Sequence, residues 1–179
     1  MSGIPGTGKS TLARAIGDTL GMVVLDTDVV KSALLRSGVP LQPAGPATYA
    51  VALGLAADLL AQGHAVVLDS PCRYRELLED GQRTALDAGV AYRLVELWVD
   101  DVASVLPRLD ARTPRPSQVA SASQPPAGAD WESGTPLATL SAWQDQLVRP
   151  TDGWIRLDAT RPVEENLVRA LELLSRSPD

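Results

Sequence analysis

The sequence predicts an α/β fold in which a parallel sheet is covered by helices on both faces, three layers in all. Four short apolar runs, Met22 to Asp26, Ala65 to Asp69, Tyr92 to Val99 and Trp154 to Asp158, read as buried strands beside turn or cap signals. Amphipathic stretches alternate with them: Lys9 to Leu20, Asp28 to Arg36, Ala47 to Gln62, Arg75 to Ala88, Val102 to Arg112 and Val163 to Ser175. Strands separated by helices of that length need crossover connections, which make neighbours parallel and bury both sheet faces. A chain of 179 residues that is 45% hydrophobic can bury the core of one such domain, residues 1–179.

The first element carries the clearest chemistry. Gly3-Ile4-Pro5-Gly6-Thr7-Gly8-Lys9-Ser10 fits the pattern G-x-x-x-x-G-K-[ST], and Thr11 follows it. Glycines in such a loop let backbone amides turn inward on phosphates, and the helix opening at Lys9 adds its positive end. Lys9 is expected to reach the β- and γ-phosphates of ATP, and the Ser10 hydroxyl to ligate Mg²⁺. Pro5, Thr7 and Thr11 complete the expected cradle. Only Met1 and Ser2 precede Gly3. The strand that leads into such a loop is therefore expected to be nearly absent, or the sequence to begin inside a longer protein.

The run Met22 to Asp26 ends on Asp26-Thr27-Asp28 and opens a helix. Strand ends of a parallel sheet gather at one edge, so a carboxylate here can ligate Mg²⁺ or take a proton from a substrate hydroxyl. Asp28 is the stronger candidate and Asp26 the weaker; helix capping is the competing use of Asp28. The chain has fourteen Arg but only two Lys, and the second, Lys31, falls one turn after Asp28, where it shares a helix face. Asp69 ends the next run, Ala65 to Asp69, as a second candidate Mg²⁺ ligand. No Glu stands beside it, which disfavours hydrolysis of nucleotide as the main task. Asn166 is the only Asn, so no N-K-x-D guanine-reading motif exists. His64 reads as a surface or capping residue between helix and strand, and Cys72, three residues past Asp69, as packing at or near the pocket.

Arg108, Arg112 and Arg115 follow at spacings of four and three, which put them on one helix face if the helix persists. A lid arginine brought onto the transferring phosphoryl group stabilises its developing charge. A solvated basic helix end is the competing reading, and Pro107 predicts a kink. From Thr113 to Pro136 the chain is rich in Pro, Ser, Ala, Gly and Gln with Trp131 as its only aromatic. That composition predicts a disordered segment or a lid, unable to hold itself closed and ordered by ATP. The arginines beside it are expected to repel one another until phosphates arrive. A helix over Leu137 to Leu147 follows.

Composition bounds the remaining classes. A formal charge of −6 with a pI near 4.8 makes a nucleic-acid partner unlikely. A single cysteine allows no intramolecular disulfide. The longest apolar stretch, Tyr49 to Ala61, contains Asp58 and is short for a membrane span. No signal peptide is readable at the start, and a soluble cytoplasmic protein is expected. Oligomeric state is not readable.

At these residues the chain resembles the small P-loop kinases, the branch that includes polynucleotide kinase, gluconate kinase, chloramphenicol phosphotransferase and zeta-toxin proteins. The likeness runs in order through Gly3 to Thr11, Asp28-Val29-Val30-Lys31, Val66 to Asp69, and the pair Arg108 and Arg112. It implies a P-loop NTPase fold, ATP and Mg²⁺ as cofactors, and phosphoryl transfer to a hydroxyl acceptor. It further implies that Asp28 acts as base and Arg112 as lid arginine, and that Thr160-Arg161-Pro162, within Asp158 to Pro162, packs on adenine. The acceptor does not carry over. A small metabolite or antibiotic is expected, with a 5′-hydroxyl polynucleotide kinase or a binding module of little turnover as alternatives.

Overall fold

A computed structural model describes residues 1–125, 131–132 and 134–176. The element order is α1 (Lys9–Leu20), β1 (Val23–Asp26), α2 (Thr27–Arg36), α3 (Leu41–Ala61), β2 (Val66–Asp69), α4 (Arg75–Asp87), β3 (Leu94–Trp98), α5 (Leu106–Ala111), α6 (Pro136–Asp145), β4 (Trp154–Asp158) and α7 (Val163–Leu174). A 3-10 turn, Val102–Val105, leads into α5. The fold is the expected three-layer α/β arrangement. β1 pairs in parallel with β2, and β3 with β4.

The two pairs are joined by the first two residues. Ser2 bridges Glu96 in parallel, its N–H donating to Val95 O at 2.8 Å and its carbonyl accepting from Leu97 N at 2.9 Å. On the other side the Met1 ammonium donates to Leu68 O at 2.8 Å. The order across the sheet is therefore β1-β2-(Met1–Ser2)-β3-β4, with the expected short strand reduced to one bridge. Burial pushes the Met1 ammonium below its usual pKa, and the nearby Asp69 carboxylate offsets part of that.

α1 packs on β1, β2 and α7, and α3 packs on β2, α2 and α4. With no Phe in the chain, Ile4, Leu12, Ile16, Leu97, Leu109, Leu140 and Leu157 fill the main core, with Ala13 and Ala170 where helices approach closely. Aliphatic interdigitation of this kind supplies most of the burial free energy.

Three elements differ from expectation. α3 starts six residues early, at Leu41, and runs through Pro43 and Pro46. Pro43 falls in the first turn, where its missing N–H costs nothing, and only Pro46 removes an internal hydrogen bond. The resulting helix has 21 residues and contains an 18-residue window of mean hydropathy 1.3, enough by length and composition to cross a membrane, which the shorter stretch Tyr49 to Ala61 was not. Its neighbours are α2, α4 and β2. The stretch Val102 to Arg112 is not one kinked helix, because Pro107 starts α5 after the 3-10 turn. Arg112 then leaves the helix in an extended conformation. Residues 113–125 are also not loose: Val119 is 2% exposed, Ser121 and Gln124 form an antiparallel bridge, and Trp131 packs against the core. Residues 126–130 and 133 of the expected lid lie outside the described residues.

Candidate active site

The loop Gly3 to Gly8 is shaped by close approach. Gly3 (φ 139°) and Gly6 (φ 87°) both lie in the positive-φ range, and a Cβ at Gly3 would sit 2.7 Å from Leu97 O, one at Gly6 2.9 Å from Val105 Cβ. Only glycine satisfies both constraints. Thr7 Oγ1 donates to Ile4 O at 2.8 Å and ties the loop across its own neck. Gly8 precedes α1 in a left-handed conformation and supplies no side-chain cap, and no acidic residue stands in the first turn. The first amides of α1 therefore keep their donors and their positive end unneutralised, which suits an anion. Lys9, Ser10 and Thr11 line a cleft of about 920 Å³ in front of that end, with Pro5, Gly6 and Gly8. Among the described residues the Ser10 hydroxyl makes no hydrogen bond.

Asp28 is not the helix cap. That work falls to Asp26, 8% exposed, whose Oδ1 accepts from Asp28 N at 2.9 Å. Oδ2 of Asp26 accepts from Arg14 at 3.1 Å and from Arg115 at 2.8 Å. Released from capping, the Asp28 carboxylate faces the same cleft, where Ser117 Oγ donates to Oδ1 at 3.1 Å and Gln118 Nε2 to Oδ2 at 2.8 Å. Ser117 Oγ also accepts a hydrogen bond from Ser32 Oγ, at 2.9 Å. Lys31 lines the cleft as well and has no ion-pair partner among the described residues.

The three arginines converge on this cleft, yet each already has a protein partner, contrary to the expected mutual repulsion. Arg108 donates to Ala159 O at 2.7 Å, Arg112 to Val119 O at 2.8 Å, and Arg115 to Asp26. Carbonyl and carboxylate oxygens of the folded segment supply what composition alone did not reveal. Arg112 Nε is buried without a partner. Burial lowers the pKa of this guanidinium, and attraction to Asp28 raises it.

Two predicted groups lie apart. Asp69 pairs with Asp26 in the β1–β2 register, 3% exposed and outside the cleft lining, with Oδ1 buried and without a donor. Thr160, Arg161 and Pro162 follow β4, also outside the lining; Thr160 bonds Asp158 Oδ1, and Arg161 pairs with Glu165 at 3.2 Å. Arg108 connects that loop to the cleft through Ala159. Cys72 lines a second, apolar cavity; it packs with Leu78 and Leu94, and burial raises its thiol pKa. His64 lines the same cavity, away from the cleft.

Sequence reasoning missed one wall. Tyr49, Arg73, Tyr74, Glu132 and Trp143 also line the cleft. Burial raises the pKa of Tyr49, whose neighbours include Tyr74, Arg73, Ser70 and Asp28.

Residues 1–124 match the model of the family described as AAA domain. The chain belongs to that family. This AAA domain is 31% identical over 156 residues to an uncharacterized protein of Mycobacterium tuberculosis and to one of Mycobacterium bovis. The alignment covers 78% of the chain but only 31% of those relatives, so the chain spans about a third of their length. Solved structures share its fold across nearly its whole length. A gluconokinase from Sinorhizobium meliloti superposes with a TM-score of 0.63 at 19% identity, covering 98% of this chain and 89% of that one. The Mycobacterium tuberculosis APS kinase, in complex with AMPPNP and APS, gives 0.64 at 18%, covering 98% and 95%. A sugar kinase from Janibacter sp. gives 0.64 at 17%, covering 99% and 93%. The AAA domain thus has the small P-loop kinase fold.

Proposed function

We propose that this chain is an ATP-dependent kinase domain, spanning 1–179 with a lid at about 113–136, that transfers the γ-phosphate to a hydroxyl of a small molecule. The observation that carries the reading is convergence. One cleft holds the uncapped start of α1 with Lys9 and Ser10, the carboxylate of Asp28, and Arg108, Arg112 and Arg115. The structural neighbours include kinases, one of them bound to AMPPNP.

In this reading Lys9 and the α1 amides hold the phosphates, and Arg112 meets the charge that spreads over the transferred group. Asp28 orients the acceptor hydroxyl and takes its proton; the Ser117 hydroxyl at Oδ1 stands where that acceptor oxygen would donate. Mg²⁺ would be held by Ser10 and, through water, by carboxylates at the strand ends, and it would screen the phosphate oxygens. The donor-free Oδ1 of Asp69 fits such a water, since a buried carboxylate oxygen left unpaired is costly. Thr160 to Pro162 would border the adenine through the Arg108 link. The excess of cations in the cleft does not by itself argue for a polynucleotide acceptor, because the chain as a whole is acidic. A cytoplasmic setting, where ATP is available, suits the activity.

Removing the charge at Lys9 is the direct test. Lys9→Ala should lower turnover by about 10²–10³ and weaken Mg·ATP binding in a protein that melts like wild type. Unchanged ATP affinity by calorimetry in folded Lys9→Ala would falsify the assignment.

A further inference from the structure

The cleft is lopsided in charge. Lys9, Arg14, Lys31, Arg73, Arg108, Arg112 and Arg115 line it, against Asp28 and Glu132, in a chain whose net charge is −6. Most of these cations serve the nucleotide side or are bonded to protein oxygens. Lys31 and Arg73 are the exceptions, and of the two Arg73 is the one fixed in place by aromatic rings. Arg73 follows β2 and lines the cleft with Tyr49 and Tyr74; Arg73 and Asp28 both lie near enough to Tyr49 to act on its hydroxyl, and the Arg73 side chain is only 17% exposed.

Its guanidinium is held by rings more than by counter-charge. The guanidinium carbon lies 4.4 Å from the Trp143 ring centroid and 5.7 Å from that of Tyr74. Its polar contacts sit at the edge of bonding: 3.5 Å to Gln146 Oε1 and 3.9 Å to Glu132 Oε2. That Glu132 oxygen already accepts from Trp143 Nε1 at 2.7 Å, and Glu132 is 61% exposed, so it neutralises Arg73 weakly. The turn that delivers Arg73 is unusual too. Cys72 has φ 52°, the only positive φ outside glycine among the described residues. Such a conformation is unfavourable for a residue with a side chain and persists where surroundings enforce it. The Cys72 carbonyl accepts from Val148 N at 3.0 Å, which helps to lock the turn. A planar, stacked, weakly partnered guanidinium presents its fork to whatever enters.

We infer that Arg73 is the anion-recognising residue of the acceptor subsite, so that the acceptor carries a carboxylate or phosphate group besides the hydroxyl that faces Asp28. This rests on the kinase reading above. Tyr49 and Tyr74, edge to face at 6.1 Å, line the same cleft and would pack on the acceptor's carbon skeleton. Lys31, on the Asp28 side, is the second cation available to the same group.

The test is a binding experiment that needs no turnover. Protein saturated with Mg·ADP is titrated calorimetrically with two matched pairs, D-gluconate against D-glucitol and ribose 5-phosphate against ribose. At least one acid should bind about tenfold or more tightly than its neutral partner, the effect of one charge-assisted hydrogen bond. Arg73→Gln should abolish that preference while ADP affinity stays within about twofold of wild type. Should Arg73→Gln fail to fold, Arg73→Lys keeps charge and stem but loses the fork, and the preference should drop by about threefold or more. Absence of any acid preference in both pairs overturns the inference, and so does a preference that survives the substitution. Loss of ADP binding by the wild type would instead strike the nucleotide reading, so the two failures are separable.

Discussion

Two groups of arginines in this molecule do opposite work. On β3, the wholly buried Glu96 is gripped by Arg156 Nε at 2.9 Å and Arg149 NH2 at 3.1 Å. Arg149 Nε also lies 2.7 Å from Oε2, off the N–H axis, which makes that contact an ion pair and not a hydrogen bond. Both guanidinium groups also lie over the rings of Trp98 and Trp154. There one buried carboxylate faces two guanidinium groups, and the two indole rings complete the surroundings of both. In the cleft, Arg73 is met by rings and a distant, exposed Glu132, and Arg112 by a carbonyl, which carries no net charge to cancel its own. A closed network holds a fold together, whereas an incompletely answered one is fit to bind.

Substitutions can separate the two kinds. The largest effect is expected at Asp28, where Asn keeps shape but removes the negative charge and the proton acceptor. Turnover with the true acceptor should fall by about 10²-fold, the low end for a general base given a loose transition state. Stability should fall by only about 1–2 kcal/mol, because the Ser117 and Gln118 hydrogen bonds weaken while Asp26 keeps the cap of α2. Turnover within about threefold of wild type would remove Asp28 from the chemistry. Glu96→Gln should do the reverse. Two charge-assisted bonds weaken, and stability should drop by about 2 kcal/mol, read as a lower denaturation midpoint, while ADP affinity in the folded fraction is kept. A selective loss of ADP binding without destabilisation would erase the contrast drawn here. The smallest effect is expected for Ser117→Ala, which removes a hydroxyl bonded to Asp28, at a cost of about 1 kcal/mol in stability. Turnover should hold or rise, since the acceptor hydroxyl takes that position; a collapse like that of Asp28→Asn would make Ser117 part of the reaction.

The sequence made the nucleotide half of the site readable, because backbone geometry there is written in residue types. Gly3, Gly6 and Gly8 are needed for positive φ, and all three adopt it. α1 and β4 match their expected limits, since each is bounded by a glycine or an Asp turn. The acceptor half was opaque. The helix expected from the sequence begins at Ala47, which leaves out the preceding turns of α3, with Leu41, Gln42, Gly45 and Pro46 on the cleft. Arg73-Tyr74-Arg75 after a strand reads as solvated surface, and only Trp143, about seventy residues on, turns it into a wall. The only local hint was Ser70-Pro71-Cys72, a turn sequence directly after a strand that ends in Asp. Residues 113–125 misled in the other direction. Their composition lacks bulk, but Ser117 and Gln118 are held by hydrogen bonds to Asp28, which no measure of hydrophobicity records.

The carboxylate of Asp26 has a consequence of a different sort. It holds the Asp28 amide in the first turn of α2, an arginine of α1 and an arginine of the segment that follows α5. Whatever draws Arg115 toward a phosphate must first take it from Asp26, and the energy of that exchange belongs to both ligands. If the nucleotide shifts Arg115 and thereby alters the seating of α2, acceptor affinity changes by some factor. Thermodynamic reciprocity then requires the acceptor to change nucleotide affinity by the same factor. Asp26 touches neither ligand in this scheme, yet it would set how strongly each one senses the other.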